Sequence, residues 1–122
     1  MTAAVVFTFG TPYFTGMSHL STLDYLVPVN ATQAGAAYNP TADPVAFAFA
    51  ATATYVPQSG DWISGGWDAN PSSVLYPYNA KILVGAGASG AAVLGISTCI
   101  VYMRVTDNPE IPVGIVGQFQ VS

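Results

Sequence analysis

Residues 81–107, KILVGAGASGAAVLGISTCIVYMRVTD, constrain the fold more than any other stretch, because they admit three architectures. Read as strand–turn–helix, Gly85, Gly87 and Gly90 form G-x-G-x-x-G behind KILV, and Asp107 falls near the place of a ribose-binding acid. Glycines there let a backbone approach a pyrophosphate, whose charge a following helix N-terminus stabilises. That fingerprint needs a helix behind it and further parallel strands. Gly95, Ser97 and Thr98 weaken such a helix, and Pro109 and Pro112 interrupt the sequence after Asp107.

Read as a membrane span, residues 82–103 are free of charge, bracketed by Lys81 and Arg104, and long enough to cross a bilayer. Their middle, GAGASGAA, is weakly apolar, their ends are β-branched, and a cation on both sides gives no orientation. The third reading explains more residues. Tyr78, Ala80, Ile82 and Val84 alternate with Asn79, Lys81 and Leu83, and Cys99, Val101, Met103 and Val105 alternate with Ile100, Tyr102, Arg104 and Thr106. Period-two alternation of β-branched and aromatic residues is the strand signature. Two antiparallel strands joined by a glycine-rich loop are therefore expected, the glycines permitting positive φ in the connection.

The rest of the chain follows the same period. Val5, Phe7 and Phe9 alternate before Gly10, then Tyr25, Val27 and Val29. Val45, Phe47 and Phe49 oppose Ala46, Ala48 and Ala50, an alanine face suited to sit closely against something flat. Val113, Ile115, Phe119 and Val121 are expected on one face of a last strand, with Gly117 among them. Asn39-Pro40, Asp43-Pro44 and Asn70-Pro71 mark turns, and no segment carries a helical stripe. About seven strands with frequent turns predict an all-β, antiparallel β-sandwich over residues 22–122, preceded by an irregular N-terminal arm at residues 1–21.

Only eight side chains are charged: Lys81 and Arg104 against Asp24, Asp43, Asp61, Asp68, Asp107 and Glu110, a net charge of −4 in 122 residues. A dispersed monomer ordinarily needs a mixed charged surface, so self-association or a protein partner is expected to cover the excess apolar area. Two cations make no basic patch, which argues against nucleic acid; a membrane partner is not expected either. The N-terminal MTAAVVFTFG lacks a positive n-region, so no signal peptide is expected.

Chemistry has few candidates. Cys99 is the single cysteine and alternates with Val101 and Met103, which predicts a buried, inert thiol. His19 is the single histidine and has no ligand at metal spacing. Asp107 and Glu110 flank Asn108-Pro109 and read as a turn before a calcium site. No metal, cofactor or catalytic triad is expected, and so no enzyme. Phe7, Phe9, Tyr13 and Phe14 are candidate interface residues, Phe7 and Phe9 being equally explained as core residues of a first strand. In DWISGGWD, Trp62 and Trp67 are candidate glycan contacts, since indoles stack on sugar rings, although a sandwich-core tryptophan accounts for at least one equally well.

The segments DYLVPV (24–29), NPTADPVAFAF (39–49), GDWISGGWD (60–68), YNAKILVG (78–85) and VYMRVTDNPEIPV (101–113) occur in a particular order, a glycine-rich loop joining the last two. That order resembles the small immunoglobulin-like virion structural proteins of tailed bacteriophages, of the actinobacterial siphophage type. Residues 1–21 fall outside the resemblance, and Gly114 stands where the family commonly has a basic residue. The resemblance implies an immunoglobulin-like fold and a non-enzymatic virion component whose partners are the major capsid protein or other virion proteins. Capsid decoration on the outside of the shell is the first expectation. A head–tail connector, a tail accessory protein or a glycan-binding display module are the alternatives.

Overall fold

The structure, a computed structural model, describes residues 5–10, 12, 16–18, 20–68, 75–85, 98–106 and 113–122. Among them ten strands form two packed sheets, the expected all-β sandwich, and seven of the strands have three or more residues. The first sheet runs β1 (Val5–Phe9), β3 (Thr22–Gln33), β8 (Tyr78–Gly85), β7 (Gly66–Asp68), with β4 (Ala36–Ala37) as a hairpin on β3. Ala34 and Gly35 close that hairpin with φ of 53° and 80°, the positive values that a tight two-residue turn needs. The second sheet runs β2 (Gly16–Met17), β10 (Val113–Val121), β9 (Thr98–Val105), β5 (Val45–Ala50), β6 (Ile63–Ser64). Every pairing is antiparallel except that of β2 with β10.

The core lies where the alternation placed it. Tyr25, Val27 and Val29 of β3 and Ala80, Ile82 and Val84 of β8 meet Val45 and Phe47 of β5 and Cys99, Val101, Met103 and Val105 of β9. Tyr25 reaches across from the first sheet to stack at 5.3 Å on Phe119 of β10. Its hydroxyl comes so close to Gly117 that a Cβ there would collide with it, which makes glycine a packing requirement at that point.

Three expectations need correction. First, β8 and β9 are not partners: β8 pairs with β3 and β7, β9 with β10 and β5. Alternation reports which face of a strand is buried and says nothing about which sheet it joins. Because both neighbours of β8 are antiparallel, the parallel surroundings of a dinucleotide fold are absent from it. Strands at both ends likewise exclude a single helix over 82–103, and no helix among the described residues is long and apolar enough to cross a membrane. The connection at 86–97 lies outside the described residues.

Second, the expected arm contributes two strands, β1 and β2, to the sandwich. β1 lies along β3 from Val5↔Gln33 to Phe9↔Val29, and β2 lies beside the end of β10. The alternation in VVFTF matches the unpaired flank of β3, so the segment seals that edge and turns Val5, Phe7 and Phe9 inward.

Third, the last strand does not keep one face. Its register with β9 slips between Ile115 and Gly117, so Val116 is an extra, buried residue. One inserted residue exchanges the two faces of everything before it. Phe119 therefore points into the core at 1 % exposure, while Val113 and Ile115 stand outside at 54 % and 49 %.

Candidate functional site

The segment DWISGGWD is where the chain passes from one sheet to the other. Ile63–Ser64 pairs with β5 and Gly66–Asp68 with β8, so Gly65 is the crossing point. A Cβ on Gly65 would lie 2.5 Å from the Phe47 ring and 2.7 Å from the Lys81 carbonyl oxygen, whereas Gly66 faces open space. The crossing sends the two tryptophans apart. Trp67 packs on the main core and donates its Nε1–H to the Asp43 carbonyl at 2.9 Å. Trp62 lies over the outer face of the second sheet, against a separate cluster of Ala48, Ala50, Ile100 and Tyr102.

That cluster shows what the alanine face sits against: the chain's own loop 51–62. Ala46, Ala48 and Ala50 register with Arg104, Tyr102 and Ile100 on β9, and their small side chains leave room for cover. Tyr102 holds the loop by donating to the carbonyls of Tyr55 (2.7 Å) and Thr52 (3.3 Å). The Arg104 guanidinium stacks on Trp62, 4.6 Å from the ring centroid, a cation–π contact. Tyr55 donates its hydroxyl to Asp61 Oδ2, which also accepts from the Gln58 N–H at 2.7 Å. The Tyr55 bond, and secondarily the Gln58 N–H, hold the Asp61 carboxyl below its ordinary pKa. Asp68 pairs with Lys81 at 3.3 Å. Asp61, Trp62, Trp67 and Asp68 thus all have partners within the chain, and the two candidate glycan contacts, Trp62 and Trp67, do not share a surface.

Beyond the loop, the same sheet presents Val113 and Ile115 beside Arg104 and Tyr102, with which they register. Val113 and Ile115 thus form an exposed apolar pair beside one guanidinium. The sequence concealed it because the bulge at Val116 has no signature in a plain alternation.

Of the candidate interface residues, Phe7 and Phe9 are half-buried against the core. They line a cavity of about 180 Å³ between the sheets together with Met103, Val105, Val113 and Gly114. Tyr13 and Phe14 lie outside the described residues, as do His19, Asp107 and Glu110. Cys99 is fully buried, and burial pushes its thiol up to about 12, against a weaker opposing hydrogen bond with the Ala50 backbone. At neutral pH it is a thiol, the form without nucleophilic power. Among the described residues no three of His, Cys, Asp and Glu gather as a metal site. No protein-family model, curated protein or solved structure matches the chain.

Proposed function

We propose that the protein is a non-enzymatic structural component of a tailed-phage virion, with an immunoglobulin-like fold, bound to the outside of the capsid and stabilising the shell. The observation that carries the reading is the imbalance of its surface. Lys81 and Asp68 neutralise each other, Asp61 is held by Tyr55 and Gln58, Asp43 accepts from the Tyr38 hydroxyl, and Arg104 lies on Trp62. Large apolar side chains meanwhile stand open, among them Val6, Leu20, Leu75, Leu83, Val113 and Ile115. A surface so poor in free charge favours a place in an assembly over life as a dispersed monomer.

The strand order supports the immunoglobulin-like part of the reading. β1-β3-β8-β7 and β10-β9-β5 follow the sequence of the A-B-E-D and G-F-C sheets of immunoglobulin domains. Cys99 lies on the strand in the F place, with Tyr25 across from it on the strand in the B place and Phe47 on that in the C place. The resemblance to virion proteins supplies the location and the major capsid protein as partner. The mechanism is mechanical: apolar area buried across joints of the shell raises the barrier to rupture.

The test compares purified particles carrying the protein with particles stripped of it, by the temperature at which they release nucleic acid. Decorated particles hold to a higher temperature, and adding back the pure chain restores the difference. Equal release temperatures overturn the stabilising role, and a glycan-array signal that disappears in Trp62→Ala replaces it with the display reading.

A further inference from the structure

We propose that copies of this chain associate head to tail, the outer face of the second sheet of one copy docking on the outer face of the first sheet of the next. On each face a charge is registered directly across from an exposed aliphatic side chain. In the first sheet Asp24 of β3 is opposite Leu83 of β8, and in the second Arg104 of β9 is opposite Val113 of β10. Leu83 is 43 % exposed, and Val113 and Ile115 more so. Neither Asp24 nor Arg104 has an ion-pair partner among the described residues. The two faces look away from each other in one chain and can meet only between copies.

Shape agrees with charge. The bulge at Val116 turns Val113 and Ile115 outward as a ridge beside Arg104. The first sheet offers a hollow of about 200 Å³ beside Asp24, lined also by Gly65, Gly66, Lys81 and Leu83, where glycines leave the backbone bare. Lys81 is balanced by Asp68, so Asp24 leaves that face with one net negative charge, against the one positive charge of Arg104. Asp61, in the loop over the second sheet, keeps its negative charge but commits Oδ2 to Tyr55 and Gln58, so Arg104 is the charge in register with Val113. Pairing two like faces instead offers Arg104 no Asp24, and Asp24 no Arg104, to meet across the contact. A heterologous contact is thereby selected, which closes into a ring or extends as a row. A standard interface takes about 800 Å² from each partner, a small part of the 6523 Å² accessible surface.

The inference rests on the proposed function only for the premise that copies pack together. It is tested on the purified full-length chain in solution, so its failure leaves the particle experiment standing. Sedimentation velocity over a concentration series should show wild-type oligomers that weaken as salt rises. Asp24→Lys and Arg104→Glu should each weaken association roughly tenfold or more, through like-charge repulsion. An equimolar mixture of the two variants should associate again, because each then offers the face the other lacks. Asp24 is exposed and outside every packed cluster, so Asp24→Lys carries the test even where loss of the Arg104–Trp62 contact unfolds the other variant. A wild-type chain that stays monomeric, an Asp24→Lys chain that associates like wild type, or folded variants that do not rescue each other overturns the proposal.

Discussion

Gly65→Ala adds one methyl group at the point where the chain changes sheets, and its cost follows from the two contacts that methyl meets. The Phe47 ring atom at 2.5 Å falls about 0.9 Å short of the 3.4 Å at which ordinary contact begins, and the Lys81 carbonyl at 2.7 Å is also too near. Phe47 is fully buried, and Lys81 is fixed by its register with Gly66 and Leu26, so neither yields freely. Overpacking of this kind costs about 1–3 kcal/mol. Moving the backbone aside instead endangers the 2.9 Å bond from the Gly65 N–H to the Val45 carbonyl, worth about 1 kcal/mol. The expected loss is about 2–4 kcal/mol, a large share of the roughly 5–15 kcal/mol of an ordinary domain. Urea unfolding followed by the fluorescence of Trp62 and Trp67, which flank the site, reads it as a lower midpoint at unchanged slope. Gly66→Ala, one residue on and facing open space, is the control and should lie within about 0.5 kcal/mol of wild type. Equal midpoints for Gly65→Ala and Gly66→Ala would refute the crossing geometry.

Other expectations follow from the same contacts. Because the folded Asp61 carboxyl is held below its ordinary value of 3.8, the stability it lends is complete above that pH and is lost as pH falls through the lower folded value. Carboxyl titration by NMR should show the depressed midpoint, and Tyr55→Phe should raise it. Cys99 works in the other direction: its thiol ionises from about 9 in the unfolded chain but only near 12 when folded, so stability declines as pH rises across that window. A thiol reagent at pH 8 should therefore label Cys99 only after denaturant is added. Removing residues 1–12 deletes β1 with Phe7 and Phe9, and should yield a destabilised chain, seen as a lower melting temperature. A truncated chain as stable as the whole would contradict their packing on the core. Trp62→Ala uncovers Ala48 and Ala50 and frees Arg104, and should cost about 2 kcal/mol, roughly half the loss at a fully buried tryptophan.

Much of the sandwich was legible because burial on one face writes itself into period two. Val45, Phe47 and Phe49 against Ala46, Ala48 and Ala50 showed both faces of β5, and Cys99 through Val105 did so for β9. Their small residues also showed that something lies close to the alanine face, though not that Trp62 and loop 51–62 do. Side-chain patterns carry no record of which strands pair, so β8 and β9 read as partners when they belong to opposite sheets. The bulge was invisible because GIVGQFQ alternates acceptably in either register, and only pairing with β9 shows Val116 to be the extra residue. DWISGGWD read as one surface because nothing in its composition marks Gly65 as a crossing. The exposed pair Val113 and Ile115 escaped notice for the same reason as the bulge that exposes them.

Cryo-electron microscopy of intact particles purified from the source bears most directly on the proposed role in the virion shell. The expected result is ordered copies of this two-sheet domain over the outer capsid lattice, each with Val113, Ile115 and Arg104 against a neighbouring chain. Particles whose shell, neck and tail carry no such density contradict it.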